Sequence, residues 1–537
     1  MKLTLEGLRN KDEWKGYKLF DYDHEQILKN TEERPVWVHF GAGNIFRIFP
    51  AGLCQNLIEQ KAMDTGILVG EGFDGEIIDR IYRPHDSLTL GVTLKADGSI
   101  SKEVIGSVME AVKCDPSEKD DWAVLEKAFT NPSLQMVSFT ITEKGYALYS
   151  ADGNLMKGYL EDFSSPLTSS RMFLCRLVRL LDERYRMNEA PIALVSMDNC
   201  SHNGEKLRNA VIAISEAFAE RGELSEGFLS YVSNERKVSF PWSMIDKITP
   251  RPDESVRKML QKDGFEDSEP IITEKHTYIA PFVNAEEPQY LVIEDAFPNG
   301  RPALEKAGVY LTDRDTVNRV EKMKVCTCLN PLHTALAVSG CLLGYKLIAD
   351  EMKDPDLSKM VDILGYKEGL PVVVNPGILD PKAFIDEVIR KRIPNPFMPD
   401  TPQRIATDTS QKLSIRFGET IKAYLSREDL DAGSLSIVPL VYALWCRYLL
   451  AVDDDGNEMT LSPDPMIPAV APALEGIRLG DCGPFDSRLS ALLSNEKIFG
   501  LDVTKTVLYG KVVDDFTSLV KGKGAVRETI HRIVESC

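Results

Sequence analysis

The 537-residue sequence predicts two domains of unlike build, an α/β domain followed by a mainly α-helical C-terminal domain. Three observations predict this. The first half alternates short β-branched apolar runs with amphipathic stretches, the pattern of βαβ units. Past about residue 310, apolar residues recur instead at three and four spacings. The length itself exceeds what one hydrophobic core usually supports, so boundaries at 1–308 and 309–537 are expected.

In the first half, the runs 36–40, 67–70, 136–141 and 192–197 read as strands. Between them, 88–94 and 100–107 flank the turn Ala96, Asp97, Gly98 and read as an antiparallel hairpin inserted into an otherwise parallel pattern. In the second half, 334–353, 381–392, 409–428, 439–452 and 525–536 carry helical periodicity. Proline and glycine punctuation, as in NPGILDP and RIPNPFMPDTP, separates these helices, and no internal repeat is visible. The most membrane-like segment, 435–446, contains Pro439 and is stopped by Arg447, well short of the roughly 20 residues a bilayer span needs. It reads as a buried helix.

Lys and Arg total 63 against 82 Asp and Glu, a net charge of −19 that repels nucleic acid and anionic lipid. An anionic substrate is compatible only if a few cationic side chains converge locally. The start, MKLTLEGLRNKDEWKGY, is interrupted by charge before any signal-like apolar stretch, so a cytoplasmic protein with no membrane or nucleic-acid partner is expected, a monomer being the default. The ten cysteines lack framework spacing and read as free thiols. Cys326 and Cys328 near His333 have no second ligand cluster, and no metal is expected.

The segment RPVWVHFGAGNIFRIF joins a strand to Gly41, Ala42 and Gly43, then to an amphipathic run opening with Asn44, Ile45, Phe46 and Arg47. This layout exposes backbone N–H groups to a pyrophosphate at a helix start, and it predicts a Rossmann-like dinucleotide-binding domain. Phe46 stands where the usual third glycine would be, and Pro50 lies early in the presumed helix. The next strand, in GILVGEGFD, ends at Glu71, whose carboxylate could accept hydrogen bonds from the adenosine ribose hydroxyls and repel a 2′-phosphate. NAD is therefore favoured over NADP. Capping of the following helix is the other use open to Glu71 or Asp74.

The second half opens with EKMKVCTCLNPLHTALA, in which Asn330 and His333 lie three apart and share a helix face. Alone, Asn-x-x-His is more often surface polarity. Taken with GAGNIFR, TITEKGY at 140–146, MDNCSHNG at 197–204 and FPWSMIDKITPRP at 240–252, the order of motifs resembles the polyol-specific long-chain dehydrogenases. That family includes mannitol 2-dehydrogenase, fructuronate reductase and tagaturonate reductase. The resemblance runs from about residue 35 to 415. It implies a metal-independent secondary-alcohol dehydrogenase with its active site in the cleft between a dinucleotide-binding and a helical domain.

The resemblance makes Lys324 the catalytic acid/base, Asn199 and Asn330 the amides that stabilise the oxyanion, and His333 a hydrogen-bond partner of the substrate, with Glu321 near the proton exit path. It places Thr142 and Glu143 at the cofactor and Asp246 at the substrate. Asp246 and Asp198 could equally cap helices or pair with neighbouring bases. A lysine base needs a lowered pKa, which desolvation would supply. In the family the lysine stands five residues before the asparagine, whereas Lys324 stands six before Asn330. Six helical steps turn about 240°, so a π-bulge or non-helical start is needed to aim both into one cleft. Lys322 is the rival base.

Arg404 and Lys412, eight residues apart, resemble the family's substrate-binding pair and would lie about 80° apart on one helix. A solvated basic face is the plainer use of such a pair. The resemblance implies that these residues hold hydroxyls, as in mannitol dehydrogenases, or also meet a carboxylate, as in the hexuronate reductases. KVCTCLNPLHTALA and the chain length look more like the fructuronate reductase branch, which implies interconversion of D-fructuronate and D-mannonate with NAD(H). Mannitol 2-dehydrogenase and tagaturonate reductase are the alternatives within the family. An NAD-binding or sugar-acid-binding protein without turnover is the alternative of another class.

Overall fold

The structure is a computed structural model that describes every residue except Ala151, Asp267, Met398 and Pro399. Two compact units divide the chain, Met1–Asn318 and Arg319–Cys537.

In the first unit the strands are β1 (Trp37–Phe40), β2 (Ile67–Glu71), β3 (Thr89–Leu94), β4 (Ile100–Ile105), β5 (Val108–Lys113), β6 (Met136–Phe139) and β7 (Ile192–Ser196). They continue with β8 (Val238–Ser239), β9 (Ser243–Asp246), β10 (Ile271–Ile272), β11 (Tyr278–Ile279), β12 (Phe282–Glu286), β13 (Tyr290–Glu294) and β14 (Tyr310–Thr312). The main sheet has the order β5-β2-β1-β6-β7-β8, with every neighbouring pair parallel. The chain winds outward from β1 in one direction and from β6 in the other. Between these two strands lies the topological switch point, where α/β sheets open a ligand crevice at their carboxyl ends.

The pleat sorts side chains to two faces. Val38, Phe40, Leu68, Val137, Phe139 and Leu194 enter one apolar cluster, while Trp37, Ile67, Val69, Met136, Ala193 and Val195 enter another. Burial on both faces is why these strands read as continuous apolar runs rather than alternating ones.

The sequence-predicted hairpin forms, as β3 and β4 in antiparallel register from Thr89↔Ile105 to Leu94↔Ile100. It does not join the parallel sheet. It pairs instead with β12, far along the chain, in a separate three-stranded sheet. One edge strand of the main sheet is β5, which begins directly after the hairpin and is not among the strands expected from the sequence. A third small sheet, β14-β13-β9, carries the first unit past residue 308, because β14 lies parallel to β13.

The second unit is helical. Ile437–Tyr448 is buried along its whole length, with Pro439 in its first turn, where a missing N–H costs nothing. Its Arg447 is fully buried and donates to the carbonyls of Leu519, Val452 and Asp453. The helix packs against Tyr509–Leu519 and Asn330–Leu342. By length and composition alone the continuous run Arg314–Leu342 is apolar enough to cross a bilayer, and 78% of its most apolar window is buried inside the protein, as in a core helix.

Two expected helices are shorter than their periodicity suggested. The run 334–353 breaks after Leu342, where Gly344 takes a φ of +78°, and resumes as Ile348–Glu351. The run 409–428 divides into a 3-10 turn at Thr409–Gln411, a π-turn at Ser414–Gly418 and an α-helix at Glu419–Ser426. Part of the proline-rich punctuation at 392–402 falls on Met398 and Pro399, outside the described residues.

Candidate active site

The glycine turn follows β1 at the switch point. Gly41 has a φ of +105°, and a Cβ there would lie 2.2 Å from the Thr140 carbonyl oxygen, so only glycine fits between β1 and β6. Above Gly43 nothing lies within 4 Å of where a Cβ would be, which leaves open space beside the backbone. Gly43 caps the helix Asn44–Ile48, and Pro50 begins a second one, Pro50–Glu59, at the position a proline tolerates. The turn and the first N–H groups after it thus fit a dinucleotide pyrophosphate.

Burial divides the residues assigned to the cofactor. Gly43, Asn44 and Ile45 keep some exposure. Phe46 and Arg47 keep none. Phe46 stacks on His39 with ring centroids 4.1 Å apart. The Arg47 guanidinium donates to Ala280 O at 2.7 Å, Pro281 O at 3.1 Å and Thr89 Oγ1 at 3.2 Å. Arg47 therefore ties the turn to the β3-β12 sheet instead of contacting a cofactor.

Glu71 is held by the backbone on both sides of the turn. Its Oε2 accepts from Ala42 N at 2.8 Å, and its Oε1 from Phe73 N at 2.7 Å and Asp74 N at 2.9 Å. Three backbone donors leave about one lone-pair site for a ribose hydroxyl. The carboxylate chiefly welds the glycine turn to the loop after β2. Asp74 accepts from Thr273 Oγ1 at 2.6 Å. A cavity of about 700 Å³ opens here at the carboxyl ends of β2 and β5, lined by Glu71, Gly72, Lys113, Ser117, Arg171 and Lys275.

Beneath the turn runs a directed hydrogen-bond chain that the sequence reading missed. Thr140 Oγ1 donates to Gly41 O, so it accepts from His39 Nε2 at 2.9 Å. His39 Nδ1 then accepts from Ser138 Oγ at 2.6 Å, which accepts from Trp37 Nε1 at 2.7 Å. This order requires a neutral His39, and burial does push its pKa down to about 3. The alternation of polar His39 among apolar neighbours in WVHF was the only available signal.

Thr142 holds a φ of +66°, unusual for a β-branched residue. Asp198 pins it, accepting from Ile141 N at 2.9 Å, Thr142 N at 2.8 Å and the Tyr146 hydroxyl at 2.5 Å. Glu143 is exposed and ion-paired with Lys206. Asn199 is exposed in the bend after β7, and Asp246 is buried on β9 opposite Tyr290.

In the second unit, Lys324 lies in a π-turn, Met323–Cys328, closed by the i to i+5 bond from Leu329 N to Lys324 O at 3.1 Å. The extra residue implied by the six-residue spacing is absorbed there, and the helix Asn330–Leu342 starts immediately after it. Lys324 is 3% exposed, whereas Lys322 is exposed and Glu321 partly so. The π-turn packs against that helix and against the turn Ser414–Gly418.

His333 lies one turn into the helix. Burial is the main reason its pKa falls to about 4; Asp400 opposes the fall, and the Arg392, Arg416 and Arg404 guanidiniums add to it. Arg404 is exposed and held by Asp400, with Nε to Oδ1 at 2.6 Å. Lys412 Nζ donates to the carbonyls of Ile405 and Thr407. Burial and the neighbouring Arg416 bring Lys412 down to about 8.

Arg404 and Lys412 do not share one helix, contrary to the spacing argument. The helix Pro402–Ile405 ends, Asp408 takes a left-handed φ of 54°, and Asp464 pins the next turn through Ser410 N and Oγ. Sequence reasoning passed over Arg416, whose Nη1 donates to Asn330 O and Thr334 Oγ1. Its spacing of four from Lys412 was the available signal. Among the described residues, no group of three or more His, Cys, Asp or Glu is placed to hold a metal ion.

A parallel sheet of this order with a glycine turn at its switch point, joined to a helical unit bearing a buried lysine ahead of an asparagine and a histidine, is the build of a dinucleotide-dependent dehydrogenase. Residues 36–306 match the mannitol dehydrogenase Rossmann domain and residues 316–520 the mannitol dehydrogenase C-terminal domain, and the chain belongs to the mannitol dehydrogenase family. It is 51% identical to a D-mannonate oxidoreductase of Thermotoga maritima over 99% of both chains. Two solved structures share the fold. A substrate-free D-sorbitol dehydrogenase superposes with a TM-score of 0.80 at 23% identity, covering 99% of this chain and 100% of that one. The Pseudomonas fluorescens mannitol 2-dehydrogenase ternary complex with NAD and D-mannitol superposes at 0.71 and 24%, covering 100% of both.

Proposed function

We propose that this chain is a cytoplasmic NAD-dependent oxidoreductase that interconverts D-mannonate and D-fructuronate. The observation that carries the substrate assignment is the likeness to the Thermotoga maritima D-mannonate oxidoreductase over nearly the whole of both chains, so that it embraces both units. The glycine turn offers a dinucleotide an open backbone at Gly43 and the first N–H groups of the following helix.

When bound, the dinucleotide supplies the acceptor or donor of hydride. The protein's part is proton transfer and charge stabilisation. Lys324, buried within its turn, takes the proton from the hydroxyl being oxidised and returns it in reduction. The Asn330 amide donates to the developing alkoxide, as oxyanion donors do. His333, kept neutral by burial at ordinary pH, hydrogen-bonds a substrate hydroxyl without adding charge. Arg404 and Lys412 lie in the same unit, where they donate to further hydroxyls of the substrate.

The test is a panel of hexuronates, hexonates and polyols scored by NADH absorbance on the purified protein. D-Mannonate with NAD and D-fructuronate with NADH are expected to give the highest kcat/KM. Mannitol or fructose turned over at least as efficiently would overturn the reading.

A further inference from the structure

The chain carries a net charge of −19, yet one guanidinium near the start of the helix Asn330–Leu342 has no carboxylate beside it. Arg416 projects from the π-turn Ser414–Gly418 and, among the described residues, donates through Nη1 alone, to the neutral acceptors Asn330 O and Thr334 Oγ1. Its cationic neighbours are already engaged: Arg404 by Asp400, and Lys412 by two carbonyls. Among the described residues no ion pair involves Arg416. Burial alone pulls its pKa down to about 10, which reflects a charge without a compensating anion.

A guanidinium has five N–H donors, and Nη1 accounts for two of them. The remaining edge, Nη2 and Nε, is the planar fork that takes a carboxylate through two parallel bonds. Fixed by Asn330 O and Thr334 Oγ1, that fork cannot swing away to bulk water without breaking both bonds. A neutral polyol offers that fork single uncharged acceptors, where a carboxylate offers a paired anionic one.

We propose that Arg416 receives the carboxylate of the sugar acid, and that this pairing is what makes the site select an acid over a polyol. The inference rests on the reading of the protein as a D-mannonate oxidoreductase and deepens it. Anchored at its carboxylate, the open chain has a fixed register, so one hydroxyl and no other is presented for oxidation.

The test titrates D-mannonate and D-mannonamide, the same chain with its charge removed, into wild type, Arg416→Gln and Arg416→Lys by calorimetry. Wild type is expected to prefer the acid on the order of 100-fold, the scale of a desolvated charge pair. Arg416→Gln should bring that preference to within a few-fold, raising the D-mannonate KM by a similar factor while leaving affinity for the amide nearly unchanged. Arg416→Lys keeps charge without the fork and should retain an intermediate preference, which serves if the glutamine variant does not fold. A wild type that binds both ligands equally overturns the proposal without any variant. So do variants in which acid and amide weaken in parallel, since that marks a purely structural role. If D-mannonate is a good substrate but the preference survives in Arg416→Gln, this inference alone falls. If wild type turns over a neutral polyol in preference to D-mannonate, the functional reading itself falls with it.

Discussion

Lys322 and Lys324 stand two residues apart and differ most in exposure. Lys322 reaches solvent, while Lys324 is buried in a turn that packs against the histidine-bearing helix. If Lys324 transfers the proton, Lys324→Ala should lower kcat by roughly 10²–10⁴-fold, the usual contribution of general acid–base catalysis. Lys322→Ala should stay within about twofold, as exposed substitutions do. NADH binding, followed by fluorescence titration, should be unchanged in both. Equal losses in the two variants would remove Lys324 from the mechanism. Arg47 carries the opposite lesson. It sits within the motif that announces the cofactor, yet its guanidinium is spent on two carbonyls and a threonine.

Two elements are held by buried carboxyl groups, in opposite ways. Glu71 accepts from three backbone donors and joins the glycine turn to the loop after β2. Glu351, at the end of the helix Ile348–Glu351, is fully buried, and among the described residues neither carboxylate oxygen has a hydrogen-bond partner. It fits against the helix Asn330–Leu342 only because residue 340 is glycine; a Cβ there would lie 2.1 Å from Glu351 Oε1. Burial, with Asp354 adding to it, raises the Glu351 pKa from 4.5 to about 9. Between these values the folded protein keeps a proton that the unfolded chain releases, so stability falls as pH rises through that window. The slope is about 1.4 kcal/mol per pH unit, which reaches about 3 kcal/mol at pH 7. Glu351→Gln removes the titration. Its unfolding free energy in urea should match wild type near pH 4.5 and exceed it by about 3 kcal/mol at pH 7, whereas a gap independent of pH would show that Glu351 is not the titrating group.

For the whole molecule, dinucleotide binding and stability are linked, because a ligand that binds only the folded state stabilises it by mass action. NADH at a hundred times its Kd should add about 2.7 kcal/mol, seen as a rise in Tm. NADPH at the same concentration should add less, since the Glu71 carboxylate lies beside the turn and repels a 2′-phosphate. An equal rise with both would remove Glu71 from cofactor selection. Much of this build was legible beforehand. The need for a π-bulge or a non-helical start before Asn330 came with the family resemblance, while the strands on either side of the switch point, the glycine turn and the helical runs at 381–392 and 525–536 followed from local periodicity and spacing. These features are set by neighbours a few residues apart, and the sequence alone determined them. What only the tertiary structure decided depends on partners far along the chain. The hairpin pairs with β12 instead of the main sheet, Arg47 is claimed by Ala280 and Pro281, and Arg404 and Lys412 are separated by a turn that Asp464 pins. Arg416 is held by a helix more than eighty positions earlier. No periodicity encodes such pairings, because a buried charge takes whichever acceptor the folded chain brings to it.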